Sequence, residues 1–259
     1  MALSCLSVIV REDAMRGLQL TPTLIKNGYV RHLVDSIATD DEALVRLLQV
    51  GRQSLRSLYL FQAKLTLFMR LAMSEVGSRT LQVLRVVQKL IDMKLWSEPP
   101  SELFVASLIA DNRQPSQSPA DRYLTALDCA LSLCLALCSN AFGMGSECVN
   151  QILFFVALHS EMLSQCLRVD ATKSDRRSTT LSLAAALVAH CYPTHSSDQN
   201  LPSADSKIGR LFGQLRDRCN VAELVEIKNR PKNDLNTSAF SDVGLFLKRN
   251  TPLRNMTLL

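Results

Sequence analysis

The sequence predicts an all-α protein, and three observations support that prediction. The chain has 259 residues, 47% of them hydrophobic, and Leu and Ala dominate this set while aromatic residues make up only 5%. Such a composition suits helices better than sheets, which favour aromatic and β-branched side chains. Helix-capping and helix-ending residues recur at short intervals, and we find no convincing strand pattern. We therefore expect about ten helices in a right-handed α-solenoid of HEAT-like antiparallel helix pairs.

Short helices follow one another in the first part of the chain. MALSCLSVIV is expected to form the first helix. Residues 21–28 should form a brief helix that starts at a Thr-Pro pair and ends at a glycine. The next helix should start at a Thr or Asp cap, Thr39 or Asp40, and end at Gly51. A long helix is then expected over residues 54–77, where a glycine interrupts it, and another over residues 78–93.

The middle of the chain is punctuated by prolines. Pro99-Pro100 breaks the chain before a short apolar segment at residues 102–110. Residues 111–119 have the composition of an exposed loop, whose Ser118-Pro119 end offers an N-cap followed by proline at the first helical position. The next helix should run to about residue 140, where the turn FGMGS follows.

Three more helices are predicted downstream, at residues 147–158, 161–169 and 180–191, the last of them after the polar gap DATKSDRRS. No crisp internal repeat is visible. Regular repeats such as tetratricopeptides are therefore disfavoured, whereas HEAT-like helix pairs often have little sequence signature.

The chain is expected to divide into four parts. Residues 1–192 should form the solenoid segment, and PTHSSDQNLPSA, within residues 193–204, should be a flexible linker. Additional helices are expected over residues 205–229, and a poorly ordered basic tail over residues 230–259.

The segment SLYLFQAKLTLFMRLAM, residues 57–73, carries only two charges and could suit a membrane span or a buried helix. On a helical wheel it has two apolar stripes on nearly opposite sides. The wider stripe consists of Leu58, Phe61, Leu65, Phe68, Met69 and Ala72, and the narrower one of Leu60, Leu67 and Leu71. Two stripes suit a solenoid helix that packs on both sides. Since Lys64 and Arg70 would each cost about 2.5 to 3.5 kcal/mol within a bilayer, we expect no transmembrane segment.

The charge distribution disfavours a nucleic-acid-binding role. The formal net charge is +5, and the residues from Asp205 onward contribute most of it, with ten Lys or Arg and six Asp or Glu. A nearly neutral body with a mildly basic tail lacks the clustered basic face of a nucleic-acid-binding protein. We see no convincing signal peptide, so a cytosolic or nuclear location is expected.

The eight cysteines do not have the regular framework of a small secreted domain, so we expect reduced, buried thiols. Cys129, Cys134 and Cys138 lie on one helix, but Cys129 falls about 140° from Cys134 and about 180° from Cys138. The three cannot converge on one metal ion, and the sequence contains no C-x-x-C pair.

No motif for catalysis is recognisable. The histidines at positions 32, 159, 190 and 195 show no H-E-x-x-H spacing, and we expect His32 and His159 near helix surfaces in capping or hydrogen-bonded roles. GMGSEC begins like a dinucleotide-binding loop but has Cys148 where the third glycine belongs and follows no strand. We therefore predict that the chain is not an enzyme and has no catalytic, cofactor-binding or metal-binding residues.

Four segments, taken in order, resemble a known family. GYVRHLVDSI is followed by SLYLFQAKLTLFMRLAMSEVGSRTL, then by DRYLTALDCALSLCLAL and QILFFVALHSEML, so that the likeness spans roughly residues 28–190. The segments are similar to the C-terminal half of the large inner-ring scaffold nucleoporins of the nuclear pore complex. None of them is a catalytic motif, so the resemblance rests on their order and combination. Because members of that family are much longer α-solenoids, we expect the chain to be a fragment, a truncated product or a partial gene model.

The resemblance implies a structural role at the nuclear pore complex in the nuclear envelope. A scaffold of this kind would help to build the inner ring, support nucleocytoplasmic transport and hold helical segments of linker nucleoporins in grooves between its helices. It implies other nucleoporins as partners and no cofactor, and the sequence identifies no partner-binding residues. The alternative is a generic HEAT-like cytosolic adaptor or a transport-receptor-type protein-binding module. An all-helical enzyme would require a compact pocket with convergent polar groups.

Overall fold

The computed structural model describes residues 2–17, 19–48, 54–97, 99–100, 103, 118–138, 146–168, 175–191 and 210. Within these ranges the backbone is helical and contains no strand, which confirms the all-α prediction. The helices are α1 (Ala2–Arg16), α2 (Leu20–Lys26), α3 (Tyr29–Asp35), α4 (Ile37–Leu47), α5 (Arg56–Ala72), α6 (Glu75–Val83), α7 (Val86–Ile91), α8 (Pro119–Cys138), α9 (Ser146–Leu158), α10 (Ser160–Arg168) and α11 (Asp175–Cys191). A 3₁₀ turn, Lys94–Trp96, lies between α7 and α8.

Four long helices form one layer of the molecule. Helices α1 and α8 both pack against α5, and α11 packs against α8. The shorter helices form a second layer, in which α2 contacts α6, α4 contacts α7 and the 3₁₀ turn, and α7 contacts α9. Contacts of α4 with α5 and of α9 with α11 join the two layers. Units that pack mainly against the next unit along the chain form a solenoid.

The repeating unit is long and irregular. The four first-layer helices begin at residues 2, 56, 119 and 175, so each unit exceeds a HEAT repeat of about 40 to 47 residues. Among the residues that the structure describes, the second layer of successive units contains three helices, then two helices with a 3₁₀ turn, then two helices. This variation explains why the sequence shows no crisp internal repeat.

Polar contacts fix the direction of neighbouring helices. The hydroxyl of Thr180 in α11 donates a hydrogen bond to Asp128 in α8, and Cys138 and Cys191 meet where the same two helices end. The two helices are therefore parallel. This arrangement is expected where equivalent helices of successive units stack.

Helix α5 buries members of both predicted apolar stripes. Its buried side chains are Leu58, Phe61, Lys64, Leu65, Leu67, Phe68, Leu71 and Ala72. The expectation that the stripes lie on nearly opposite sides was wrong, because their centres are only about 130° apart on the helical wheel and Lys64 lies between them. The narrower stripe is only partly covered, because Leu60 is 41% exposed next to Tyr59, which is 60% exposed. The buried residues therefore form one continuous half of the helix, and its first turns leave the other half open.

Lys64 lies in the middle of α5, and only 5% of the residue is exposed. Its ammonium nitrogen lies 2.6 Å from Oδ2 of Asp40 and donates a hydrogen bond of 2.7 Å to the hydroxyl of Ser36. Both partners are at the start of α4. A buried cation is costly unless it is paired and hydrogen-bonded, so this contact ties α5 to α4 in one register.

Lys64→Ala is expected to lower the free energy of unfolding by about 3 to 5 kcal/mol, because it leaves the nearly buried carboxylate of Asp40 without its partner. Urea denaturation followed by circular dichroism measures this loss. Lys26→Ala, on the exposed side of α2, is the control and should change the free energy by less than about 0.5 kcal/mol. Equal stability of the two variants would contradict the assigned role of the buried pair.

The prediction that Gly77 ends α5 was wrong, because this glycine lies in the first turn of α6. Helix α5 ends at Ala72, and the hydroxyl of Ser74 then caps α6 by accepting a hydrogen bond from the N–H of Gly77 at 3.1 Å. A Cβ atom on Gly77 would lie 2.1 Å from the carbonyl oxygen of Leu71. The glycine is needed because α6 starts so close to the end of α5.

Three other helix boundaries differ from prediction. The helix expected over residues 78–93 is two helices, because Arg85 adopts a left-handed conformation with φ 53° between them. Helix α4 starts before the predicted Thr or Asp cap, since Asp40 is engaged by Lys64 instead of capping the backbone. Helix α11 starts at Asp175, inside the predicted polar gap. The predicted Ser118 cap is confirmed, because its hydroxyl accepts a hydrogen bond of 3.0 Å from the N–H of Asp121.

Some predicted features lie outside the described residues. They are the end of the third predicted helix at Gly51, the apolar segment 102–110 except Leu103, the loop 111–117, most of the turn FGMGS, the linker 193–204, the helices 205–229 except residue 210, and the tail 230–259. Among the described helices, none combines the length and the apolar character that crossing a bilayer requires.

Candidate protein-docking groove

The cysteines of α8 are part of the core. Within the described ranges no group of three or more His, Cys, Asp or Glu side chains is placed to hold a metal ion. Cys134 is fully buried, and burial raises the pKa of its thiol well above the usual range. Cys129 and Cys138 are half-buried, and Cys138 meets Cys191 of α11, a contact that wheel geometry on one helix could not reveal.

His159 follows the last residue of α9 and is only 3% exposed, so its predicted location near the surface is wrong. The predicted hydrogen-bonded role is confirmed, because its Nδ1 lies 3.4 Å from the hydroxyl oxygen of Tyr123. His32, by contrast, is exposed on α3. The imidazole of His159 is therefore buried on the same side as the inward-facing residues of α9.

A cluster of aromatic rings supports α9 from within the core. The ring centroid of Trp96 lies 5.7 Å from Tyr123, 5.8 Å from Phe155 and 5.3 Å from His159, each in an edge-to-face arrangement. The indole N–H of Trp96 donates a hydrogen bond of 2.6 Å to the carbonyl of Leu90 at the end of α7. Edge-to-face packing and this satisfied indole fix the relative positions of α7, α8 and α9.

Burial lowers the pKa of His159 from 6.5 to about 4. In the unfolded chain the imidazole binds a proton near pH 6.5, so between the two pKa values the unfolded state holds more protons. The stability that depends on neutral His159 is therefore present above pH 6.5 and is lost as the pH falls toward 4. When the pH is lowered from 7 to 5, the preferential protonation of His159 in the unfolded chain should lower the free energy of unfolding by about 2 kcal/mol.

Urea titrations at the two pH values measure this effect. His159→Phe should remove the loss, because the ring remains but the titratable group does not. His32→Gln, which replaces an exposed imidazole, is the matched control and should retain it. The same pH dependence in both variants would contradict the assignment to His159.

An open groove of about 500 Å³ lies between α7 and α9. Its lining residues are Gln88, Ile91, Glu147, Asn150, Gln151 and Phe154. Phe154 is 57% exposed, and Leu158, one turn further along α9, is 48% exposed. An accessible aromatic ring beside a half-buried Ile91, within a polar margin, is similar to the apolar centre and polar rim of protein interfaces.

Amide side chains of the lining hold two carboxylates, Glu147 in the groove itself and Asp92 beyond its lining. The amide of Gln151 donates a hydrogen bond of 3.4 Å to Glu147 in the lining, and that of Gln88 donates one of 2.8 Å to Asp92 at the end of α7. Lys89, also on α7, is paired with Asp35 at 2.7 Å. The groove therefore suits a ligand that combines an apolar side chain with a Lys or Arg.

No partner-binding residue is predicted from the sequence, so this groove is visible only in the structure. One signal was present: α9 buries a stripe that consists of Cys148, Ile152, Phe155, Val156 and His159. Phe154 is rotated about 100° from Phe155 and falls outside that stripe. A helical wheel of α9 predicts that Phe154 is an exposed aromatic residue. It cannot show that α7 lies opposite Phe154.

The fold and the groove together define a class of protein. Within the described residues, stacked helices form two layers and expose a shallow groove between units instead of a closed pocket. Extended surfaces of this kind are used by α-solenoid proteins to bind other proteins. The chain is thus a helical scaffold by architecture.

Comparison with known proteins gives the family. The family model described as nuclear pore complex scaffold, nucleoporins 186/192/205, matches residues 1–192, and the chain belongs to this family. It is 29% identical over 170 residues to the nuclear pore complex protein Nup205 of Drosophila melanogaster and to that of Homo sapiens. Each match covers 65% of this chain and 8% of the relative, so the chain spans a small part of the curated relatives. The family description is that of a structural scaffold, in agreement with the prediction that the chain is not an enzyme.

Proposed function

We propose that the chain is a structural segment of the inner-ring scaffold of the nuclear pore complex, at the nuclear envelope, where it supports nucleocytoplasmic transport. The observation that carries the proposal is the family match over residues 1–192. That range contains the described helices α1 to α11. The role requires no reaction, because a scaffold contributes rigid surfaces on which other subunits assemble.

We also propose the division of the chain into a solenoid segment at 1–192, a linker at 193–204, additional helices at 205–229 and a basic tail at 230–259. The family match ends at residue 192, where the predicted solenoid segment ends, and this agreement supports the division.

An endogenous tag on the full-length product tests the scaffold role. We expect the tagged protein at the nuclear rim and other nucleoporins among the proteins that co-purify with it. Localisation away from the rim, with no nucleoporin in the purified material, would overturn the proposal.

The groove between α7 and α9 is our proposed binding site for a helical segment of a linker nucleoporin. An apolar side chain of that helix would lie between Ile91 and Phe154, and a Lys or Arg would face Glu147. This is the helix-in-groove mode, in which apolar side chains supply affinity and polar contacts at the margin set the register. The exposed ring of Phe154 and the negative charge of Glu147 support this choice of ligand.

Phe154→Ala is expected to weaken binding of linker segments by about 10- to 100-fold, because it removes the exposed aromatic ring of the groove. Isothermal titration of the full chain with candidate linker peptides measures the dissociation constant. Tyr59→Ala removes an exposed aromatic ring on α5, outside the groove, and should leave the dissociation constant unchanged. Equal binding by both variants, with native circular dichroism, would place the binding site elsewhere.

A further inference from the structure

We propose that Cys138 and Cys191 are a modification site: they form a reversible disulfide under oxidising conditions, and this disulfide fastens the end of α11 to the end of α8. The two Sγ atoms lie 3.4 Å apart, and each cysteine is the last residue of its helix. The inference is independent of the proposed role at the nuclear pore.

The helix arrangement holds the two sulfur atoms together. Helices α8 and α11 are parallel and in direct contact, and the Thr180–Asp128 hydrogen bond fixes their register along the same interface. Disulfide formation requires the sulfur atoms to approach to about 2.05 Å. Both cysteines lie at helix ends, where the backbone adjusts more easily than in a helix centre.

Among the cysteines whose side chains the structure describes, two others are near enough to Cys138 to raise its pKa and so to compete with this pair. Cys134 lies one turn before Cys138 and is fully buried, and Cys148 of α9 is 8% exposed. Cys138 and Cys191 are both half-buried, so a small oxidant reaches them first. Accessibility and the short distance between the sulfur atoms therefore select the same pair.

A hydroperoxide is the oxidant class that fits this half-buried position. One thiol loses its proton to solvent, and the resulting thiolate attacks an oxygen of hydrogen peroxide. The O–O bond breaks, the released hydroxide takes up a proton, and a sulfenic acid and one water form. The sulfur of the other cysteine then attacks the sulfenic sulfur and expels a second water. The two thiols lose two electrons and two protons in total, and the peroxide is reduced to two waters.

The reaction is expected to be slow at neutral pH. The hydrogen bond with Cys191, together with burial, raises the pKa of Cys138, and the nearby thiols Cys134 and Cys148 act in the same direction. Because the thiolate is the reactive form, this environment protects the pair against mild oxidation.

The disulfide would join residues 53 positions apart. Closing a loop of that length restricts the unfolded chain, so oxidation should raise the thermal unfolding midpoint by about 5 to 15 °C. The added covalent constraint would act on α11, the last described helix of the first layer.

The test treats the full chain with hydrogen peroxide, alkylates the remaining thiols with N-ethylmaleimide in denaturant and digests without reduction. Mass spectrometry should show one cross-linked pair of peptides that contain Cys138 and Cys191, and dithiothreitol should abolish both this pair and the rise in midpoint. Cys191→Ser should show neither effect. Cys129→Ser, a half-buried thiol on another face of α8, is the control and should show both.

Three results would overturn the proposal. They are full alkylation of Cys138 and Cys191 after peroxide treatment, cross-linking of Cys138 to Cys134 or Cys148, and oxidation to sulfinic acid without a cross-link. Should Cys191→Ser fail to fold, the cross-link and the midpoint of the unsubstituted chain still decide the question, because both are measured on the natural sequence.

Discussion

The structure depends on the burial of α5 between the units on either side of it. This helix packs against α1, α4, α6 and α8, and its two apolar stripes supply most of the contact. The centre of such a helix can contain Lys64 only because Asp40 and Ser36 of α4 satisfy its ammonium group. Hydrophobic burial thus drives the stacking of the units, and the Lys64–Asp40 ion pair sets the register of α5 against α4.

Buried polar contacts also fix the shorter helices of the second layer. Asp13 of α1 accepts hydrogen bonds from the N–H groups that open α2, and Asp41 of α4 accepts hydrogen bonds from those of the 3₁₀ turn. Arg122 of α8 donates a hydrogen bond of 2.8 Å to the carbonyl of Leu47 at the end of α4. Each contact satisfies backbone groups that a helix end leaves free. These contacts determine which helices pack together, a role that identical sequence motifs have in a regular repeat protein.

The two faces of α9 link this packing to the proposed function. Its inner face is held by the edge-to-face cluster of Trp96, Tyr123, Phe155 and His159, and its outer face presents Phe154 to the groove. A surface built on a rigid helix loses little conformational freedom on binding, which favours a scaffold role. Burial in this cluster lowers the pKa of His159, so acid conditions would weaken the support behind the groove.

The all-α class, the buried stripes of α5, the Ser118 cap and the family could be predicted from the sequence, because they depend on composition, local periodicity and the order of segments. The burial of Lys64 and His159, the break at Arg85 and the groove beside Phe154 are visible only in the folded chain. Lys64 and Asp40 are 24 residues apart, and His159 and Tyr123 are 36 residues apart. Helical periodicity shows which side of a helix is buried, but not which distant residue lies opposite, because that depends on how the units stack.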